Sequence, residues 1–454
     1  MPSELLVGVG STIVTPPLGC QMAGFDARQG VAMKVHDDLH ARALVLDDGA
    51  TKVALISVEV IGFNGSFANE LRAQVQQRTG IPACNVVLAA THTHCGPVTF
   101  NHFFNPGQTL DQAYMQQLSR GILESVDQAV TSLRKGRIRS GLVRADGIAV
   151  NRRTADGKPV DSYAGVLLAE ALDGTPLAMS VSFSCHPTTL GPNTLDITAD
   201  FPYYAIKRLR EGLGQRAEVL FFNGAEGNVS IGHKSDLSAV GVIAPFRTFE
   251  KAEELGLRLA NAILGGLASL APQQGCLKVE SHKVSLPLKS FGPVAEMRAR
   301  RVQALERIRE LEAKEPGTTD LLRAKQQGLF ARMEEYYAVL REQTPGPEPK
   351  ALTTELTGVR IGDTALLTFP GEFFVEISLE IRKRSPFAIT IFAGLANDYI
   401  GYVPTADADA SSGYEVVASR VIPSAAGLLA DAGANLLRDL HAQGPAASAI
   451  AGGK

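Results

Sequence analysis

The stretch Ala90-Thr91-His92-Thr93-His94-Cys95-Gly96-Pro97 decides how this chain is read. It follows an apolar run, Val86-Val87-Leu88-Ala89-Ala90, that reads as a buried strand. On an extended backbone, His92 and His94 point the same way. Gly96-Pro97 then stops the strand. The result is a pair of imidazoles at a strand end, where a metal or a reacting group can be reached. If the pair binds a metal, hydrolytic chemistry is the expectation.

Working outward, apolar runs alternate with helical patterns. Residues 41–46, the turn Asp47-Asp48-Gly49 and residues 53–58 read as strand, turn and strand. Residues 68–78 read as a helix ended by Gly80-Ile81-Pro82, and 110–135 as a long helical stretch with Asp111 as candidate cap. Strands over 177–184 and 219–222 enter Cys185-His186-Pro187 and Asn223-Gly224-Ala225-Glu226-Gly227, and helices follow at 203–211 and 249–268. The alternation resumes at Leu366. This pattern predicts an α/β fold with mixed β-sheets flanked by helices.

Residues 293–345 differ in texture. They are rich in Arg, Glu, Ala and Leu, and Val302, Leu305, Ile308 and Leu311 recur at three-residue steps before Pro316-Gly317. Two amphipathic helices joined by a turn are expected, as a helical hairpin inserted into the α/β framework. The expected organisation is one domain over 1–442 containing that insertion, with 443–454 as a disordered tail.

Bulk properties narrow the function classes. Of 454 residues, 45% are hydrophobic and 20% charged, as in an ordinary globular protein. The net charge of -3 supplies no basic field for nucleic acid or an anionic membrane. Five cysteines without a CxxC pair indicate neither a disulfide framework nor a cysteine zinc site. The N-terminus lacks a basic region followed by an apolar one, and no apolar run approaches the ~20 residues that span a bilayer. A cytoplasmic protein acting on a small molecule is therefore expected, with a homo-oligomer left open.

Four strand-to-turn junctions put polar residues just past an apolar run, where ligand sites of α/β sheets lie. They are the His92/His94 motif, Cys185-His186-Pro187, Pro370-Gly371-Glu372 and Asn397-Asp398-Tyr399-Ile400-Gly401-Tyr402. Two histidines, a carboxylate and a phenol suit an ion such as Zn²⁺. Each also has a plain structural alternative. His186 before proline reads equally as a turn residue, Glu372 as the cap of a helix beginning at Phe373, and Tyr402 as a core aromatic. Cys95 and Cys185 adjoin candidate ligands but read best as small buried thiols. His-x-His alone also opens binuclear amidohydrolase barrels. Neither a phosphate loop at Val7-Gly8-Val9-Gly10-Ser11 nor a GxSxG nucleophile elbow near Ser230 is completed.

Taken together, the motifs resemble the catalytic domain of the neutral/alkaline non-lysosomal ceramidases. Thr91–Pro97 is similar to that family's THTHSGP with Cys95 for Ser, Cys185-His186-Pro187-Thr188 to xHPT, and Gly227-Asn228-Val229-Ser230 to its GNLS or GDVS turn. Pro370-Gly371-Glu372-Phe373 is similar to PGEF, and Asn397–Tyr402 to NxYxxY, with Tyr414-Glu415 following twelve residues later. The resemblance implies a zinc-dependent amidase with one Zn²⁺ per chain, held by His92, His186, Glu372 and Tyr402. It also implies that His94, Tyr414 and Arg152 meet the substrate amide or the developing oxyanion, and that Ser230 serves catalysis or substrate binding. There are departures. Glu59 stands where the family commonly has Asp, tryptophan is absent, and the chain ends where the family adds an immunoglobulin-like domain. These point toward a smaller, soluble amide as readily as toward ceramide. An esterase or lactonase using the same metal, and a non-catalytic binding protein, are the competing expectations.

Overall fold

Apolar runs along the chain pair into two sheets that face each other. In the computed structural model, residues 5–101, 109–274, 276–314, 317–347, 350–409 and 411–443 are described. The larger sheet runs, edge to edge, Glu218–Asn223, Pro176–Phe183, Tyr163–Ala171, Arg134–Arg144, Leu6–Ile13, His40–Asp47, Lys52–Val58 and Val86–Ala90, with Ala271–Gln273 paired to Arg134–Arg144. Its middle is antiparallel, and the pair at each edge is parallel. The smaller sheet runs Leu277–Pro287, Ala351–Ile361, Thr364–Thr368 and Ile389–Ala393, and its last pair is parallel.

The sheets bury a shared apolar layer, in which Val7, Leu44, Leu55, Leu167 and Phe222 meet Val359, Leu366 and Ile391. Helices cover the outer faces. Gln112–Thr131 lies on the Leu6–Ile13 and His40–Asp47 strands, and Ala425–Ala442 lies on the smaller sheet. Strands buried on both faces read as continuous apolar runs, which is why Val86–Ala90 and Thr364–Thr368 show no alternation. The mixed α/β architecture with helical flanks agrees with the pattern read from the sequence.

This layering positions the site. Within these two sheets, three pairs are parallel: Lys52–Val58 with Val86–Ala90, Pro176–Phe183 with Glu218–Asn223, and Thr364–Thr368 with Ile389–Ala393. The segments leaving their carboxyl ends are stitched to one another. Gly394 N–H donates to Asn223 O at 2.7 Å, Asn397 N–H to Leu88 O at 2.8 Å, and Cys185 N–H to Asn223 Oδ1 at 3.2 Å. A ligand crevice at the carboxyl ends of strands follows from such geometry.

Local signals mostly hold. Asp111 caps its helix, its carboxylate accepting from the N–H groups of Ala113 and Tyr114. That helix ends at Thr131, and the chain turns straight into the Arg134–Arg144 strand. Helices Val294–Lys314 and Thr319–Gln343 pack against each other. Of the residues spaced along the first, Leu311 is buried, whereas Val302 and Leu305 are exposed. The tail expected over 443–454 lies outside the described residues apart from Gln443.

Candidate metal and catalytic site

The extended conformation expected through His92 is not what forms. The strand ends at Ala90, and His92 takes a left-handed backbone with φ 71. That conformation costs a non-glycine residue of order 1–3 kcal/mol and persists only where the surroundings over-determine it. Here they do. Thr91 N–H donates to Val58 O at 2.9 Å, His92 N–H to Val60 O at 3.0 Å, and His92 Nδ1–H to Ile61 O at 2.6 Å. His92 and His94 still converge: their rings stand 87° apart with Nε2 atoms 3.2 Å from each other.

His186 arrives from the Pro176–Phe183 strand and is fully buried. Its Nδ1–H donates to Glu226 O at 2.7 Å. Its Nε2 stands 2.8 Å from Glu372 Oε2 and 3.4 Å from the Tyr402 hydroxyl. Glu372 Oε2 also lies 3.6 Å from His92 Nε2. Glu372 and Tyr402 face each other across a short parallel pair. The helix-cap alternative for Glu372 is thereby overturned, since the next helix is Val375–Arg384 with Phe374 at its cap position. His186 faces the carboxylate, while Tyr402 is buried in the core with its hydroxyl accepting from Arg152 Nη2–H, so its core-aromatic alternative stands beside the ligand one.

Proton bookkeeping tests whether this set suits a metal. A carbonyl only accepts, so Nδ1 of His92 and of His186 must carry the ring proton. A ring that carries its only proton on Nδ1 has a bare Nε2 lone pair, and in both histidines that atom faces Glu372 Oε2. Burial, and then the nearby Arg152 guanidinium, pull the His186 imidazole down to about 4, so it is neutral at neutral pH. Two acceptors at 2.8 Å repel unless a proton or a metal cation lies between them. The donor set, two imidazoles, a carboxylate and a phenol, fits a borderline ion such as zinc. Backbone carbonyls fixing the far nitrogen of each ligand ring are the usual second layer of such sites.

His94 differs. Its Nδ1 has no hydrogen-bond partner among the described residues, so its tautomer is free to place a proton on Nε2. One ring nitrogen from each of His92, His94 and His186 nonetheless lies within 4.8 Å of the others, so a three-histidine metal set shares two members with the first. Gly24 gives the His94 ring its place: a Cβ there would lie 2.6 Å from the ring.

The remaining residues named from the sequence fall around this centre. Arg152 Nε donates to Glu415 Oε1 at 2.7 Å, and its Nη2 to Gly227 O at 2.9 Å and to the Tyr402 hydroxyl at 3.3 Å. The Tyr414 ring packs edge-on to Tyr402 at 5.9 Å. His94, Arg152, His186, Tyr402 and Tyr414 border one cavity. Ser230 sits in a two-stranded pair opposite Val150, its hydroxyl accepting from Gly232 N–H at 3.3 Å. Cys95 and Cys185 are buried free thiols, as expected.

Other polar residues at this centre were not among the candidates read from the sequence, although two of them lie inside its motifs. Tyr399 donates its hydroxyl to Glu372 Oε1 at 2.5 Å. It lies within the NxYxxY run, three residues before Tyr402. Both carboxylate oxygens of Glu226 lack partners among the described residues, and burial followed by the Glu372 charge pushes its pKa well up. His233 borders the cavity. Arg28 and Arg247 both lie over the Phe25 ring, at 4.9 and 5.0 Å.

Residues 5–209 match the family described as neutral/alkaline non-lysosomal ceramidase, N-terminal. The ceramidase resemblance holds. Among solved structures, neutral ceramidase from Pseudomonas aeruginosa superposes with a TM-score of 0.74 at 19% identity, covering 98% of this chain and 75% of that one. A structure described as ceramidase complexed with C2 gives 0.74 at 18% identity, covering 97% and 76%. The ceramidase-like fold therefore extends over nearly the whole chain, beyond the segment that the family match covers. Among the described residues no helix is long and apolar enough to cross a membrane.

Proposed function

We propose that this chain is a zinc-dependent amidase that hydrolyses a carboxylic amide, with one Zn²⁺ held by His92, His186, Glu372 and Tyr402. The observation that carries it is the pair of imidazoles, each locked by a carbonyl at Nδ1, presenting Nε2 to a single carboxylate. When bound, zinc lowers the pKa of a coordinated water to ~7 and so supplies the nucleophile at neutral pH.

The chain's own residues do the rest. Arg152, anchored by Glu415 and Gly227, keeps a positive charge beside the Tyr402 hydroxyl and favours its ionised form as a ligand. Tyr414 and Arg152 border the cavity where the amide oxygen gains negative charge, and such a directed donor is typically worth ~10²–10³ in rate. Glu372, committed as a ligand, is not free to act as a base. His94, whose tautomer no carbonyl fixes, carries the proton from Nε2 to the leaving amine. Ser230 braces the turn beside the site. The ceramidase resemblance supports the amide bond as the target, and a smaller soluble amide is the substrate class in view.

The test is a panel of N-acyl amides and matched esters assayed with zinc-replete and with exhaustively chelated protein. Amide turnover that vanishes on chelation and returns with zinc is the expected result. Full activity after chelation, or a strong preference for the ester, would sink the reading.

A further inference from the structure

His233 stands in the wall of the reaction cavity. It is buried, and its Nδ1 has no hydrogen-bond partner among the described residues. The same cavity is bordered by His94, Arg152, His186 and Tyr414. Its position is built. Gly232, at φ 104, makes the turn that presents it, and the Ser230 hydroxyl accepts the Gly232 N–H. A buried polar group left unpaired is costly to the fold, and native structures keep few of them. A leucine in that place would fill the space without the penalty. The ring therefore points to a partner that arrives with the substrate.

We infer that His233 is a specificity-determining residue, whose imidazole hydrogen-bonds a polar group carried by the substrate close to the scissile amide. This rests on the amidase reading. Beside His233 the cavity wall also carries Asp26, Ser235 and Ser238 next to Phe25 and Ala239, a mixed lining that suits a substrate arm with both a hydrogen-bonding group and a short apolar part. A site built to hydrogen-bond a substrate hydroxyl rejects the analogue that lacks it, because the protein group is then left buried and unpaired.

The experiment uses isosteric pairs in which a hydroxyl replaces a methyl on either side of the amide. An N-acyl ethanolamide is compared with its propylamide, and an N-glycolyl amide with its N-propionyl counterpart. Wild-type protein is expected to favour the hydroxyl member of one pair by about tenfold or more in kcat/KM. His233→Leu should bring that ratio close to one, and His233→Asn or His233→Gln should restore part of it. Stability gives a readout independent of turnover: His233→Leu should unfold at the same temperature as wild type or higher, whereas a structural histidine would make the variant less stable. A wild-type enzyme without preference in both pairs, a preference that survives His233→Leu, or a destabilised His233→Leu would overturn the inference. Absence of turnover of every amide would instead strike the amidase reading, and the stability comparison would still judge His233.

Discussion

His186 Nε2 and Glu372 Oε2 stand 2.8 Å apart, although 186 residues separate them in the chain. Both atoms are acceptors once His186 Nδ1–H is committed to Glu226 O. That contact calls for a proton or a metal cation between the two atoms, and it ties the segment leaving the Pro176–Phe183 strand to the one leaving Thr364–Thr368.

The two histidines of the opening motif should separate by function. His92 has its Nδ1 fixed by Ile61 O, and His94 has no such partner. His92→Ala is expected to lose bound zinc, measured by elemental analysis of the purified protein. His94→Ala should keep zinc and lose rate by about 10²-fold or more, the scale of general acid catalysis. Loss of zinc from His94→Ala would favour the three-histidine set instead.

Tyr399→Phe removes the hydroxyl that donates to Glu372 Oε1 and leaves the ring in place. Loss of such an outer partner typically lowers metal affinity about 10–100-fold. Competition with a chelator of known zinc affinity measures the change. An unchanged affinity would show that Glu372 is oriented without Tyr399.

Gly24→Ala should damage the site more than the fold. Gly24 sits at φ 96, which strains any other residue, and its Cβ would meet the His94 ring at 2.6 Å. A loss of about 1–3 kcal/mol in stability is expected, with a disproportionate fall in kcat because His94 must move. Denaturant unfolding and steady-state kinetics on one preparation separate the two effects. A variant that keeps full kcat would show that the ring adapts.

Asp37 supplies a pH test away from the centre. Burial pushes its pKa up to about 6, although Ala199 N–H donates to it at 2.9 Å and it pairs with His36 at 2.7 Å. The nearby Glu59 charge adds to the rise. The unfolded carboxyl titrates at about 3.9. The folded state thus holds the proton more tightly, so this group's contribution to stability is present below about pH 4 and is lost as the pH rises through about 6. Asp37→Asn keeps an acceptor for Ala199 and cannot ionise. Its melting temperature relative to wild type should climb between about pH 4 and 6. A constant difference across that window would show that Asp37 titrates normally.

Much of the framework was legible locally. Val86–Ala90, the Asp111 cap and the helices after residue 293 follow from apolar runs, capping chemistry and periodicity, all properties of neighbouring residues. The ordered motifs also named the residues that the structure brings around one cavity. What could not be read was orientation. The left-handed turn at His92 depends on carbonyls of Val58, Val60 and Ile61, which lie on another strand and its exit. Tyr399 and Glu226 lie inside motifs whose letters do not reveal which side chain faces Glu372, and His233 belongs to none.

By itself, the sequence determined which chemical groups are present and that they follow buried strands: periodicity and turn residues act over a few positions. Only the tertiary structure decided that the carboxyl ends of three parallel strand pairs share one pole. Strand pairing over long separations sets that, and it brings His92, His186 and Glu372 within a few ångströms. It also decided which ring nitrogens are spoken for by backbone carbonyls and which, as in His94 and His233, are not.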